Sequence, residues 1–501
     1  MMTTLVEQLR TPKIESRRGE LSRKELDAHT AVVVLLSPER SSLRALPYGR
    51  EIEARMQHAG CKLDSGSPFI TDLPNRRGTR IALAALKPGA GAFDRLSIAR
   101  KLVGAQMERR SESLVLATTG MEAKVRDGAL DALLAAALAA DFEMPRFKSA
   151  PDKSRRLKQL VVFGSLAESV RARTVATALG NNLARYLTAL PPNELTPDRY
   201  RRAVQALARA RGWRSTFFDL KKLQRLGAGA FIAVAQGSPN PDAGILHLRY
   251  TPRRPSKRAP LALVGKGICF DTGGTNLKSA KHMHGMHEDM EGSAVALGTL
   301  LALTELKVDF PVECWLALAQ NHIGPKAYRQ NEVIKSASGT TIEIVHTDAE
   351  GRMVLADTLT LAARTKPRLI IDYATLTGSC IGALGTRMSG AMTNRREWLS
   401  TLIDAGEASG ERVWPFPLPT DYDELLKSDI ADVKQCTVDS DADQILAALF
   451  LQRFVPKNTG WVHIDLASGN NKGGLAHIPT DVTGFGVRFT LSLLLDRKLN
   501  T

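Results

Sequence analysis

Two stretches gather the residues able to do chemistry. The first runs Leu263-Val264-Gly265-Lys266-Gly267-Ile268-Cys269-Phe270-Asp271-Thr272-Gly273-Gly274-Thr275-Asn276-Leu277-Lys278 and continues to His287-Glu288-Asp289-Met290. The second is His346-Thr347-Asp348-Ala349-Glu350-Gly351-Arg352-Met353-Val354-Leu355-Ala356-Asp357. Each reads as a strand running into a Gly-rich or acidic turn, and open α/β sheets gather ligand sites at the carboxyl ends of strands. Asp348 and Glu350 are two apart, so in extended chain they face the same side. Asp271 closes an apolar strand, where an unpaired carboxylate is costly to bury. Four acids converging there, with Asp289 as the fourth, repel one another unless a cation neutralises them. A two-metal centre answers that need, and oxygen ligands suit zinc, manganese or magnesium. Taken singly the pieces are unspecific. An Asp-x-Glu pair is most often an exposed turn, Gly273-Gly274 alone is a tight turn, and Gly265-Lys266-Gly267 lacks the full phosphate-loop spacing.

The elements that position these residues alternate along the chain. Ala31 to Leu36, Ile81 to Leu86, Ser113 to Ala117 and Gln159 to Phe163 read as buried strands. Phe93 to Met107 and Glu122 to Ala140 have helical spacing and abundant alanine. Leu166 to Leu187 is helical and stops before Pro191-Pro192. Beyond it, a basic helix from Pro197 to Arg211 precedes strand-like runs at Ala230 to Ala235 and Ile245 to Tyr250. Strands and helices then alternate to the end, with Thr341 to His346 read as a strand. The expected fold is α/β: a small N-terminal α/β domain (1–165), a helical linker (166–190), and a larger C-terminal domain (191–501). The larger domain should have a central mixed, mostly parallel sheet.

Composition narrows the class. The chain has 501 residues, 44% hydrophobic and 24% charged, which excludes disordered and collagen-like chains. The formal charge of +16 is uneven: residues 1–260 carry +21 and the remainder −5. A basic half can attract nucleic acid. However, the clusters at Lys222 to Arg225 and Arg253 to Arg258 contain few aromatics, which argues against a single-strand stacking surface. Five cysteines at wide spacings, with no CxxC, exclude a disulfide framework or a cysteine zinc ribbon. Met1 to Glu20 lacks an apolar leader core, and no run approaches the length of a membrane span. A cytoplasmic chain with no membrane partner is expected.

The two stretches resemble the signatures of the leucyl aminopeptidase family, the M17 di-metal exopeptidases, and the likeness covers roughly residues 185 to 495. Asn193 to Pro197, Ala374 to Gly378, and Thr483 to Arg488 also match family patterns. The resemblance implies that Lys266, Asp271, Asp289 and Glu350 hold one divalent metal. Asp271, Asp348 and Glu350 would hold the other, the pair being Zn²⁺ or Mn²⁺. A lysine ligand must be neutral, and adjacent cations depress its pKa; Gly265 and Gly267 would let the backbone turn it toward them. The resemblance gives Lys278 the role of stabilising the oxyanion and Arg352 that of holding a bicarbonate ion as general base. It places the apolar pocket for the first side chain at Met286, Thr375, Gly378 and Ala467. It implies release of N-terminal residues, leucine or another apolar one, from peptide substrates by a homo-hexamer.

Several positions depart from the family. His346 stands where Asn is common, and Glu291 where Gly is common. The histidines His282, His284 and His287 invite a metal reading, but the family uses none of them, so a solvent-facing loop is expected. Ser468 to Gly474 is Gly/Asn-rich and bears on one wall of the pocket. Asp439 to Gln444 replaces a Gly/Thr-rich helix start.

Overall fold

Runs of buried β-branched residues and alanine-rich helices build two sheets in succession. A computed structural model describes residues 5–499, apart from 38, 64–65, 109–110, 151–155, 257–258 and 440. The first four residues of the stretch Met1 to Glu20 and the last two of the basic loop at Thr251 to Arg258 therefore lie outside the described residues.

The first sheet comprises β1 (Lys13–Arg17), β2 (Ala31–Leu36), β3 (Phe69–Asp72), β4 (Arg80–Ala85), β5 (Ser113–Thr119) and β6 (Gln159–Phe163). Their order is β1-β6-β5-β2-β4-β3, parallel except at the β3–β4 edge. Every residue of β2 is buried. This matches a strand covered on both faces, here by the helix Ala92–Met107 on one and Gly49–His58 on the other.

The second sheet has eight strands: β7 (Arg214–Asp219), β8 (Gly244–Tyr250), β9 (Leu261–Asp271), β10 (Val312–Asn321), β13 (Leu369–Ala374), β14 (Ser389–Thr393), β15 (Val413–Pro415) and β17 (Gly460–Asp465). Their order is β15-β14-β17-β13-β9-β10-β8-β7. The centre, β17-β13-β9-β10, is parallel, and antiparallel pairs flank it. A three-stranded ribbon of β11 (Val333–Lys335), β12 (Thr341–Glu343) and β16 (Val433–Lys434) stands apart. The fold is thus mixed α/β with mostly parallel sheets.

Three local expectations need correction. Ala230 to Ala235 is the helix Gly229–Ala235 and not a strand. Short apolar runs do not distinguish the two states; here a buried Asp357 carboxylate accepts the Phe231 N–H at 2.8 Å and secures the helix start. The strand at Thr341 to His346 covers only Thr341–Glu343, because the chain turns beyond it to present Asp348. Gly265 and Gly267 do not turn the backbone; both lie inside β9. A Cβ on Gly265 would fall 2.4 Å from the Ser293 Cα, so glycine there lets the helix Glu291–Glu305 pack directly onto the strand.

The helix Glu168–Thr188 buries its second half against Glu291–Glu305. The two cross where a Cβ on Gly180 would lie 2.2 Å from the Gly298 carbonyl oxygen. All five cysteines are free, and only Cys61 is exposed. Among the described residues, no helix is long and apolar enough to cross a membrane.

Candidate metal centre

The carboxyl ends of the four central parallel strands converge. Asp271 ends β9, Asn321 ends β10, Thr375 follows β13, and Asp465 ends β17. Two helix starts close over them: Asp289 lies just before Glu291–Glu305, and Glu350 opens Glu350–Ala363, where a carboxylate also meets the positive end of the helix. One oxygen each from Asp271, Asp348 and Glu350 lies within 4.8 Å of the others.

Two lysines complete the group. Lys266 Nζ is 2.8 Å from Asp289 Oδ1, 2.8 Å from Glu350 Oε1, and donates to the Thr375 carbonyl at 2.9 Å. Lys278 Nζ is 2.9 Å from Asp271 Oδ2 and also pairs with Asp348. Gly351 makes room for the first lysine, since a Cβ there would sit 2.7 Å from Lys266 Nζ.

The electrostatics follow from burial. Desolvation, then repulsion from Glu350 and Asp271, pushes the Asp348 carboxyl up to about 7. Desolvation also raises Asp289 well above the usual carboxylate range, with Glu350 and Asp271 adding to it. Burial opposes the charge on Lys266, but Asp289, Glu350 and Asp271 outweigh it and hold the ammonium protonated. The same balance, led by Asp271 and Glu350, raises Lys278. Four carboxyls thus face two ammonium groups, and Asp348 and Asp289 hold their protons more tightly than free carboxyls, a set that cations would ionise in full. Asp289 Oδ2 is buried with no hydrogen-bond partner among the described residues. These oxygen donors fit hard or borderline divalent cations, and Lys266 becomes a ligand only when such cations drive off its proton.

Supporting contacts fix the acids. Asp271 Oδ1 accepts from Asn321 Nδ2 and from the Gly273 N–H, both at 2.8 Å. Gly273 and Gly274 have φ of +87° and +67°, a turn that L side chains resist. Thr347 Oγ1 donates to the Gly273 carbonyl at 2.7 Å, and Tyr328 donates to the Thr347 carbonyl at 2.7 Å. Thr375 Oγ1 donates to Asp289 Oδ1 at 2.7 Å. The loop carrying Thr375 is held by Asp465, which accepts from Thr377 Oγ1 at 2.6 Å and from the Leu376 N–H at 3.2 Å.

Of the expected pocket residues, Thr375 is in direct contact with the acidic cluster. Met286 begins a 3₁₀ turn ending at Glu288, Gly378 opens the helix Gly378–Leu384, and Ala467 is buried after β17. Asn470 Nδ2 donates to Glu288 Oε2 at 2.9 Å, so the Gly/Asn-rich stretch is tied to that turn. His282 and His284 are exposed and His287 is half-buried; no histidine belongs to the metal-capable group among the described residues. His346 Nδ1 accepts the Asp348 N–H at 3.2 Å. A cavity of about 580 Å³ lies elsewhere, between Phe93 to Lys101 and Asn471 to Ala476.

Arg352 is buried, and its partners differ from the expectation. Its Nη2 is 2.8 and 2.7 Å from the two oxygens of Asp443, and Nη1 donates to the Gln435 carbonyl at 2.9 Å. On the guanidinium so engaged, a carboxylate of the chain already supplies the negative charge that a bicarbonate ion would bring. Asn321, Tyr328, Gln435 and Asp465 were not legible as site residues, while Thr347 and Asp443 lie in stretches that stood out without either being given a role. Single polar residues carry no pattern, and only the fold brings them to the acids.

Comparison with known proteins agrees with this geometry. Residues 182–491 match the model of the cytosol aminopeptidase family, catalytic domain. The chain belongs to the cytosol aminopeptidase family. Family membership makes it a metal-dependent hydrolase of the aminopeptidase class. A probable cytosol aminopeptidase of Stutzerimonas stutzeri (strain A1501) is 38% identical over 449 residues, covering 86% of this chain and 87% of that one. One from Persephonella marina (strain DSM 14350 / EX-H1) is 36% identical over 380 residues, covering 74% and 75%. Among solved structures, the bottromycin maturation enzyme BotP in complex with Mn superposes with a TM-score of 0.82 at 30% identity, over 94% of this chain and all of that one. A tomato leucine aminopeptidase mutant shares the fold, with a TM-score of 0.85 at 24% identity over 97% of each chain.

Proposed function

We propose that the chain is a two-metal aminopeptidase that removes an apolar N-terminal residue, leucine foremost, from short peptides. The observation that carries this reading is the convergence of half-buried Asp348 with buried Asp271 and Glu350, extended to Asp289 through Lys266. Lys266, Asp271, Asp289 and Glu350 are assigned to one cation, and Asp271, Asp348 and Glu350 to the other. The ions are Zn²⁺ or Mn²⁺, the latter in keeping with the manganese named for BotP. Bound there, they supply Lewis acidity toward the scissile carbonyl and toward the attacking water.

The chain's own groups do the remainder. Lys278, held by Asp271 and Asp348, places a positive charge where the oxyanion develops, a contribution of about 3 kcal/mol for a well-placed donor. Asp289 receives the substrate's free amino group, which restricts cleavage to the first peptide bond. Met286, Thr375, Gly378 and Ala467 receive the first side chain. We place the N-terminal domain at 1–165, the joining helix at 166–190 and the catalytic domain at 191–501. A cytoplasmic homo-hexamer completes the reading.

Hydrolysis of leucine amide beside its N-acetylated twin, with Zn²⁺ or Mn²⁺ supplied, tests this. Cleavage of the free amine alone is expected. Cleavage of both would overturn the role of Asp289, and cleavage of neither by folded, metal-loaded protein would overturn the activity. Asp348→Ala and Glu350→Ala should each abolish metal loading; a variant that still holds two ions would defeat the ligand assignment.

A further inference from the structure

We infer that Asp443 is a built-in replacement for the bicarbonate ion at Arg352, so that the enzyme works without that ion. The inference rests on the aminopeptidase reading for its kinetic consequence, while the occupied seat itself rests on the geometry alone. Arg352 lies two residues beyond Glu350 on the same helix, within reach of the Glu350 charge though not on the same face. An unpaired guanidinium there would be costly to bury and would repel divalent cations. Asp443 removes both problems. Both its oxygens lie within 2.8 Å of Nη2, an arrangement suited to a charge-assisted pair. The Gln435 carbonyl takes Nη1. Two N–H groups are left, the second on Nη1 and that of Nε, the latter buried and without a hydrogen-bond partner among the described residues, and with the charge already balanced they are a poor seat for a second anion.

The local sequence is built to deliver this carboxylate. Ala442 adopts φ +52°, ψ +26°, a left-handed conformation uncommon for alanine, and Asp443 follows as the first residue of the helix Asp443–Gln452. Gln444 N–H donates to Ser379 Oγ at 3.0 Å and anchors the same turn. The Arg352 side chain is 2% exposed and that of Asp443 17%, so the carboxylate is the solvent-facing member of the pair. A carboxylate and bicarbonate offer the same thing to an arginine: a planar pair of oxygens sharing one negative charge.

The test compares the full-length, metal-loaded protein with Asp443→Ala and the near-isosteric Asp443→Asn, in buffer depleted of carbon dioxide and then supplied with bicarbonate. The parent should hydrolyse leucine amide equally in both. Asp443→Ala should lose about tenfold or more in kcat and regain much of it with bicarbonate, a rescue that a merely structural defect would not show. In parallel, the ¹³C signal of labelled bicarbonate should broaden with Asp443→Ala and stay sharp with the parent. Activation of the parent by bicarbonate, full activity of Asp443→Ala without it, or no bicarbonate binding by either folded variant would each overturn the inference. The binding arm needs no turnover, so it decides the seat even if the parent cleaves no amide and the peptidase reading falls.

Discussion

Asn276 and Thr347 exchange hydrogen bonds in both directions: the Asn276 N–H donates to Thr347 Oγ1 at 2.8 Å, and the Thr347 N–H donates to Asn276 Oδ1 at 2.9 Å. This reciprocal pair joins the two segments that carry the acids and sets Asp271 against Asp348. Asn276→Ala leaves the Thr347 N–H without that acceptor, a loss of about 1–3 kcal/mol where it is not rehydrated. Metal affinity should fall by about 10–100-fold, as for other groups that orient ligands. Calorimetric metal titration checks this, and unchanged affinity would mean that the segments are positioned independently.

Lys278→Ala should lower kcat by about 100-fold with little change in KM, because the lysine acts on charge that develops only during reaction. Metal content should persist, since removing an ammonium from beside Asp271 and Asp348 leaves more negative charge for cations. Steady-state kinetics with metal counting on the same samples separates this from loss of the centre.

The Glu291 carboxylate lies against residue 469, which is glycine. A Cβ on Gly469 would lie 1.9 Å from Glu291 Oε2, and the glutamate is buried, so its carboxylate would have to shift. Gly469→Ala should therefore destabilise the protein by about 1–3 kcal/mol. In the Glu291→Gly background the same change should be nearly neutral. A double-mutant cycle by denaturant unfolding reads the coupling, and additive effects would disprove it.

Glu411 couples stability to pH. Its Oε2 accepts the N–H groups of Gly486 and Phe489 at 2.9 and 2.7 Å, yet complete burial pushes its carboxyl up to about 7. The folded state therefore binds the proton more tightly than the unfolded chain. This contribution to stability is full below the unfolded pKa, near 4.5, and is lost as pH rises through about 7. The difference is on the order of 3 kcal/mol. Glu411→Gln should flatten that decline between those two pH values, measured by unfolding at a series of pH values; an unaltered slope would show that Glu411 is not its source.

The sequence by itself determined the alternation of strands and helices, the family, and the acids and lysines of the centre. These were legible because each acid sits in a dense local pattern: an apolar strand ending in Asp271, or Asp348 and Glu350 flanking a helix start. Local pattern failed where it was short, as at Ala230 to Ala235, whose helix is secured by Asp357 from far along the chain. It also misread Gly265, whose purpose is the close approach of another helix and not a bend.

Only the tertiary structure decided what surrounds the acids. Asp465 reaches the site as the end of a strand paired beside β13, and Asn321 as the end of one paired beside β9. Gln435 arrives through a two-residue strand beside β12. Asp443 meets Arg352 across 91 residues of chain. Such partners are set by sheet order and helix packing, which bring distant residues within hydrogen-bond range. Their spacing along the chain carries no trace of it, since a hydrogen bond depends on separation in space and not in sequence.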